Sequence, residues 1–134
     1  MPKFTYSAAK GIEQSSGFGF QVNDVAILEE VQALSDPSGD AINPYGITTI
    51  SDTGGSSAAL AEPTSSEPAG VKKVITKIVD GGTFTLTFTN GGIRVNGSTT
   101  SNTVTFDAVG ETLVCISNGS KWVTVALAGA TEAT

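Results

Sequence analysis

The sequence predicts an all-β protein, an antiparallel β-sandwich of jelly-roll type or a small barrel, with an extended N-terminal arm. Between residues 71 and 127, short segments alternate apolar and polar residues, which is the period of a half-buried strand. Asn-Gly pairs, a strong hairpin signal, interrupt them at Asn90-Gly91-Gly92, Asn96-Gly97 and Asn118-Gly119. The 16 glycines and the low charged fraction of 15% fit a protein of strands and turns.

The first 45 residues are predicted to form the arm and the first strands. Residues 1–20 combine glycine and serine with four large aromatic side chains, those of Phe4, Tyr6, Phe18 and Phe20. Two interpretations remain open for this stretch. The arm docks on a partner through its aromatic rings, or it forms an edge strand packed on the protein's own core. Residues 21–34 fit helical and strand spacing, and their Gly- and Thr-rich neighbours favour a strand.

The middle of the chain reads as turns around one clear strand. Asp36–Asp40 and Asn43–Gly46 carry the proline, glycine and aspartate of turns, and the β-branched run Ile47–Ser51 predicts a strand. The polar loop 62–70 is the best internal boundary, although it is too short for a disordered linker. We therefore expect one structural domain, divided into residues 1–45 and a compact β module at 46–134.

The C-terminal half contains the clearest strands. They are predicted at Val71–Val79, Thr83–Thr89, Ile93–Val95, Thr103–Asp107, Glu111–Ser117 and Lys121–Leu127. Phe84, Leu86 and Phe88 share one face of their strand, which predicts that this face is buried. Glu111–Ser117 is apolar on both faces in its middle, as expected of a central strand. The tail 128–134 is expected to fray, and no exact internal repeat is apparent.

Catalytic and metal-binding residue types are scarce. The chain has no histidine, and its single cysteine, Cys115, lies in an apolar run that predicts a buried, inert thiol. The adjacent Glu29 and Glu30 point apart in a strand and cannot share a site. We therefore expect no enzymatic activity, no catalytic residues, no metal and no cofactor.

Charge and hydropathy restrict the partners. The net charge of -6 is uneven, because residues 1–70 carry nine acids and two lysines whereas residues 71–134 carry four acids and five bases. The chain has no cluster of basic residues, which argues against nucleic acid. The acidic half is expected to face solvent or a positively charged partner. No run approaches the ~20 apolar residues of a membrane span, and no signal peptide is apparent, so synthesis in a cytoplasm is expected.

Two residues of the C-terminal half are candidates for an interface. Trp122 is the only tryptophan and begins the last predicted strand. It is either an anchor inside the sheet or a hot spot between subunits, and the first interpretation is favoured. Arg94 is the only arginine, and it is a candidate to pair with an acid across an interface.

The C-terminal half resembles a module of tailed-phage virion proteins of the head-decoration, or capsid cement, type. The resemblance covers roughly residues 46–127 and depends on short strings. These are Lys72-Lys73-Val74-Ile75, Gly82-Thr83-Phe84-Thr85-Leu86, Asn90-Gly91-Gly92-Ile93-Arg94-Val95-Asn96-Gly97, Val104-Thr105-Phe106, Gly110-Glu111-Thr112-Leu113-Val114-Cys115 and Lys121-Trp122-Val123-Thr124-Val125. In such proteins a Trp-Val strand often closes the domain.

The resemblance implies a small all-β homotrimer on the outer surface of the virion head, where it binds the major capsid protein and stabilises the joints between capsomers. Its interface would use the aromatic arm (Phe4, Tyr6, Phe18 and Phe20), together with Arg94 and Trp122. An alternative is another virion component of the tail, neck or fibre, including one that contacts a receptor. A carbohydrate-binding β-sandwich is less favoured, because its aromatics would line an exposed face whereas Trp122, Phe84 and Phe88 are expected to point inward.

Overall fold

All regular structure in the described part of the chain is β-strand. The computed structural model describes residues 4–7, 11–14, 21–22, 25–26, 31–64, 69–79, 81–93 and 100–133. Two antiparallel hairpins come first, β1 (Phe4–Ser7) with β2 (Gly11–Gln14) and β3 (Gln21–Val22) with β4 (Val25–Ala26). The body follows as β5 (Val31–Ser35), β6 (Ser38–Ala41), β7 (Gly46–Ser51), β8 (Ser56–Leu60), β9 (Lys72–Val79), β10 (Phe84–Ile93), β11 (Thr100–Phe106), β12 (Thr112–Ser117), β13 (Trp122–Ala128) and β14 (Thr131–Ala133).

The body is a sandwich of two mixed layers, which confirms the predicted all-β sandwich. The predicted antiparallel pairing is wrong for β5 to β10, which have parallel neighbours within their layers. The first layer has the order β5-β7-β9-β12-β13, and the second has the order β6-β8-β10-β11-β14. One parallel bridge, between Ile93 of β10 and Val123 of β13, joins the two layers along an edge. The apolar side chains of both inner faces form the core between them.

The first six strands of the body wind as a short β-solenoid. β5, β7 and β9 are parallel neighbours in the first layer, and β6, β8 and β10 are parallel neighbours in the second. The chain alternates between the layers, so that each pair of consecutive strands makes one coil. Parallel neighbours need a crossover connection, and here a strand of the opposite layer serves as that crossover.

The last four strands cover the end of this solenoid with antiparallel pairs. β11 pairs with β10, β12 pairs with β9, β13 pairs with β12, and β14 pairs with β11. The antiparallel module predicted for the C-terminal half is thus observed, with β12 in its predicted central place between β9 and β13. The expected fraying of residues 128–134 is wrong for β14, because Thr131, Glu132 and Ala133 pair with β11.

The turns of successive coils stack on one another. The amide of Asp36 donates to the carbonyl of Ser51 at 2.8 Å, and the amide of Asp52 donates to the carbonyl of Val79 at 3.3 Å. The Asp36 carboxylate also accepts hydrogen bonds from the amide and hydroxyl of Thr53, at 2.6 and 2.8 Å. Each coil therefore bonds to the next through equivalent positions of the turn.

A degenerate repeat accompanies this stacking and was not apparent in the sequence. An apolar residue, serine and aspartate close β5 as Leu34-Ser35-Asp36 and close β7 as Ile50-Ser51-Asp52. The parallel register sets the two triplets against each other, with Leu34 opposite Ile50 and Ser35 opposite Ser51.

The core is richest in aromatic rings where β10 faces inward. Phe84, Leu86 and Phe88 are all buried, as their alternation predicts, and the Phe84 ring packs 5.4 Å from that of Phe106 at 48°. The predicted turn at Asn90-Gly91-Gly92 is wrong, because these residues continue β10 through a shift of register. A side chain at Gly92 would meet the Phe88 ring at 3.3 Å, so this glycine makes room for the ring.

Candidate functional site

The residues predicted for an interface fall into three groups. Phe4 and Tyr6 lie in β1, where their backbones pair with Gln14 and Ile12 of β2. Phe18, Phe20 and Arg94 lie outside the described residues. Trp122 lies at the start of β13. Trp122 alone among them has a described side chain, so it alone can be placed against its neighbours.

Trp122 is an internal anchor in this structure. Its side chain is 1% exposed, and its indole Nε1 donates to the carbonyl of Ala61 at 2.7 Å. This bond ties β13 to the segment that follows β8. The neighbouring Lys121 adds contacts at the surface, to the carbonyl of Asn90 at 2.6 Å and to the Glu62 carboxylate at 3.4 Å. The placement corresponds to the favoured interpretation, in which the ring anchors the sheet.

Lys77 is the central polar group of the interior. It is fully buried on the inner face of β9, and its ammonium donates to the carbonyls of Gly82 and Phe106, the latter at 3.3 Å. The equally buried Asp52 carboxylate lies 3.9 Å from the same nitrogen. Lys77 therefore links the β7–β8 turn, the β9–β10 turn and β11, which belong to different coils and different layers.

Asp52 is oriented by its own turn. Its Oδ1 accepts hydrogen bonds from the amides of Gly55 at 3.0 Å and Gly54 at 3.4 Å. The other oxygen, Oδ2, faces Lys77. A buried charge is tolerated when it is paired and hydrogen-bonded. Here Oδ1 is hydrogen-bonded and the Lys77 charge faces Oδ2, but Oδ2 itself accepts no hydrogen bond from the described residues.

Lys73 is a second buried lysine on the same face of β9. Its ammonium donates to the carbonyl of Tyr45 at 3.0 Å, in the segment that leads into β7. In the sheet it lies between Gly46 of β7 and Cys115 of β12. Neither lysine is among the residues predicted for a site, although a signal existed: Lys73 and Lys77 share the period-two face of Ile75, which is fully buried.

The Cys115 thiol is buried, as predicted. Burial raises its pKa from an ordinary 9.0 to about 12, and the nearby positive charge of Lys73 opposes part of that rise. A thiol with such a pKa stays protonated at neutral pH and is a poor nucleophile. Cys115 is therefore a packing residue in the folded protein.

We expect Cys115 to resist thiol reagents at pH 8 while the protein is folded and to react fully in denaturant, which a colorimetric thiol assay measures. Because the folded pKa is the higher one, the thiol contributes stability that is present below pH 9.0 and is lost as the pH rises towards about 12. A Cys115→Ala variant should lack this part of the alkaline decline in stability. Fast labelling of the native protein at pH 8 would contradict the placement of the thiol.

The described residues offer few groups for chemistry. No three or more Asp, Glu, Cys or His side chains of the described part gather where they would hold a metal ion. Lys73 and Lys77, which are potential bases, are buried and donate to backbone carbonyls. The buried contacts of Lys73 and Lys77 can hold coils and layers together, because both ammonium groups are directed into the interior.

In the part of the chain that the structure describes, no helix has the length and apolar character that crossing a membrane requires.

Neither a protein-family model nor a curated protein matches the sequence.

Proposed function

We propose that this chain is a head-decoration protein of a tailed bacteriophage, which binds the outer surface of the assembled shell and stabilises the joints between capsomers. The proposal rests on the resemblance of residues 46–127 to such virion modules and on the rigid all-β body. Its partner is the major capsid protein, and it acts as a homotrimer. The proposed role is mechanical and needs no catalytic site.

The buried Lys77 network is the structural observation that supports a mechanical role, beside the sequence resemblance. Its ammonium joins two turns of the solenoid to β11 of the second layer, so that the two layers and successive coils are held as one block. A block of this kind transmits load between capsomers without changing shape. Trp122 supports the same role, because its bond to Ala61 fixes β13 against the end of β8.

Attachment as a trimer would use avidity. Three copies that engage neighbouring shell subunits convert the second and third contacts into intramolecular events, so each contact can be weak. Such a protein discriminates the assembled lattice from free subunits, because only the lattice presents the sites at the correct spacing. Lattice discrimination is therefore the property to measure.

A tail, neck or fibre component is the second candidate, and one observation favours it. The coils of β5 to β10 stack as repeats do, and repeated coils can build extended shafts. In this chain, however, the antiparallel strands β11 and β12 cover the last coil. This closure makes a compact block, which suits decoration better than a shaft.

Co-sedimentation with undecorated, expanded phage heads tests the proposal. We expect the purified protein to pellet with heads at a fixed ratio and to bind unassembled shell subunits much more weakly. Equal binding to free subunits, or no binding to heads, would contradict it. The mass in solution, measured by light scattering, separates a trimer from a monomer.

Removal of residues 2–20 tests the contribution of the arm within this proposal. We expect the body of the truncated protein to stay folded, as the fluorescence of the buried Trp122 reports, and the protein to bind heads more weakly, because the arm adds aromatic contact area. Unchanged affinity would assign attachment to the body alone.

A further inference from the structure

β5 is an edge strand that has one free side among the described strands. It pairs with β7 in parallel, from Val31 opposite Ile47 to Ser35 opposite Ser51, and no other described strand pairs with it. The amide of Asp36 donates to Ser51 of β7. Because successive residues of a strand direct their backbone groups to opposite sides, those of Val31, Ala33 and Ser35 point to the free side.

The β5 edge also lacks the features that normally protect an edge. Natural edges are protected by charged side chains, proline, irregular register or short length. The two edge strands of the second layer have such features. β6 carries Asp40 and a register shift, and β14 is only three residues long with a glutamate at its centre. β5 reads Val-Gln-Ala-Leu-Ser without a charge, and Val31 is 59% exposed. It is thus a template for an added strand.

The side chain of Gln32 holds this edge in a fixed shape. Its Nε2 donates to the carbonyl of Ala41 at 3.1 Å, and its Oε1 accepts from the amide of Asn43 at 2.9 Å and from the hydroxyl of Thr48 at 3.0 Å. These bonds tie β5 to the end of β6 and to β7. An incoming strand therefore meets an edge that is already ordered, and it loses less free energy to ordering on binding.

The charge around the edge selects the kind of strand. Residues 11–71 contain nine acids and no lysine or arginine, and two of these acids, Asp52 and Glu62, pair with Lys77 and Lys121 from later in the chain. Two of the acids, Asp36 and Asp40, are exposed in the same coil as β5. A second copy of this chain would bring the same acids against them, and like charges that face each other disfavour a complex. A strand with flanking lysine or arginine would be attracted.

We propose that the free edge of β5 accepts an extended segment of the shell protein as an added strand, with basic residues beside that segment pairing with the acids of this coil. This inference rests on the proposed decoration function and names the surface that carries it. Main-chain bonds to Val31, Ala33 and Ser35 would supply affinity, and the acidic surroundings would supply selectivity.

Amide hydrogen exchange on decorated heads tests the added strand. We expect the amides of residues 31, 33 and 35 to exchange at least tenfold more slowly on heads than in the free protein. Unchanged exchange in a protein that co-sediments with heads would overturn this inference and leave the decoration function standing. If exchange of these amides in the free protein slowed as the protein concentration rose, and the mass in solution increased, a second copy would occupy the edge. That result would also overturn the inference.

Two substitutions at Ala33 sharpen the measurement. Ala33→Pro removes an amide from the free side. Ala33→Lys adds a positive charge on the exposed face of β5, beside the free side, and keeps the backbone amide. Ala33→Ser is the matched control. We expect both changes to weaken binding to heads at least tenfold at low salt and Ala33→Ser to have little effect. Wild-type binding by a folded Ala33→Lys variant would contradict the inference, even if the proline variant does not fold.

Synthetic peptides test the edge independently of heads. The probe is an alternating Thr-Val segment flanked by lysines, and its control has the same core flanked by glutamates. We expect the lysine peptide to shift the backbone amide resonances of residues 31–35 and the glutamate peptide to leave them unchanged. If heads do not bind but the lysine peptide does, the decoration function fails and the edge site remains. If neither peptide binds, the edge inference fails.

Discussion

Replacing Lys77 by methionine is expected to lower the free energy of unfolding by about 3–5 kcal/mol, the cost of leaving one partner of a buried ion pair alone. Methionine keeps the length of the side chain but leaves the Asp52 carboxylate without its counter-charge. The carbonyls of Gly82 and Phe106 also lose their donor. Urea unfolding followed by the fluorescence of the single, buried Trp122 measures this effect.

Three further variants distinguish the loss of the Lys77–Asp52 pair from the general effect of removing a lysine. Lys72 is exposed on the same strand, so Lys72→Met is expected to change stability by no more than about 0.5 kcal/mol. Asp52→Asn is measured alone and together with Lys77→Met. The loss of stability in the double variant should be smaller than the sum of the losses in the two single variants, because both substitutions remove the same interaction. Equal, small effects of Lys72→Met and Lys77→Met would show that the network does not support the fold.

Replacing Gly82 by alanine is expected to cost at least about 3 kcal/mol, at the upper end of overpacking effects. A Cβ at this position would lie 2.8 Å from the carbonyl carbon of Gly54 and 2.9 Å from the Cα of Gly55, and closer still to the Gly55 nitrogen. All of these are backbone atoms, which cannot move aside as a flexible side chain can. The stacked turns of the second and third coils would have to separate.

Gly54→Ala is the matched control for this prediction. It lies in the same stacked turns, but an added Cβ would meet nothing within 4 Å, and its φ is not positive. We expect it to be neutral or slightly stabilising, because alanine reduces the freedom of the unfolded chain. If thermal unfolding showed equal losses for Gly54→Ala and Gly82→Ala, the close approach of the two turns would be wrong.

The sequence predicts the strands of this fold better than their connections. Phe84, Leu86 and Phe88 alternate without a break, so the buried face of β10 follows from period two alone. The parallel winding depends on which layer a strand enters after a turn, and the Pro37 and Gly54-Gly55 turns look the same for a hairpin as for a crossover. The turn predicted at Asn90-Gly91-Gly92 is wrong, because the sequence does not distinguish a turn glycine from one that makes room for a ring, as Gly92 does for Phe88.

The polar interior was harder to predict, since it depends on pairing across coils. Lys73 and Lys77 flank Ile75 on one face, which indicates that they are buried. Lysine is so rarely buried in proteins, however, that the residue type alone predicts exposure. Only the stacking of the turns shows that Asp52 and the carbonyl of Gly82 reach the Lys77 ammonium. The position of β5 at the edge of the described sheet could not be predicted either, because a sequence pattern does not show the order of strands in a sheet.

A reconstruction of the virion by electron cryomicroscopy tests the central proposal most directly. We expect density for this β-sandwich in threefold clusters on the outer surface of the head, with residues 31–35 extended by a strand of the shell protein. The decoration function would be contradicted if virions that contain the chain lacked this density on their heads, or if the density lay in the tail.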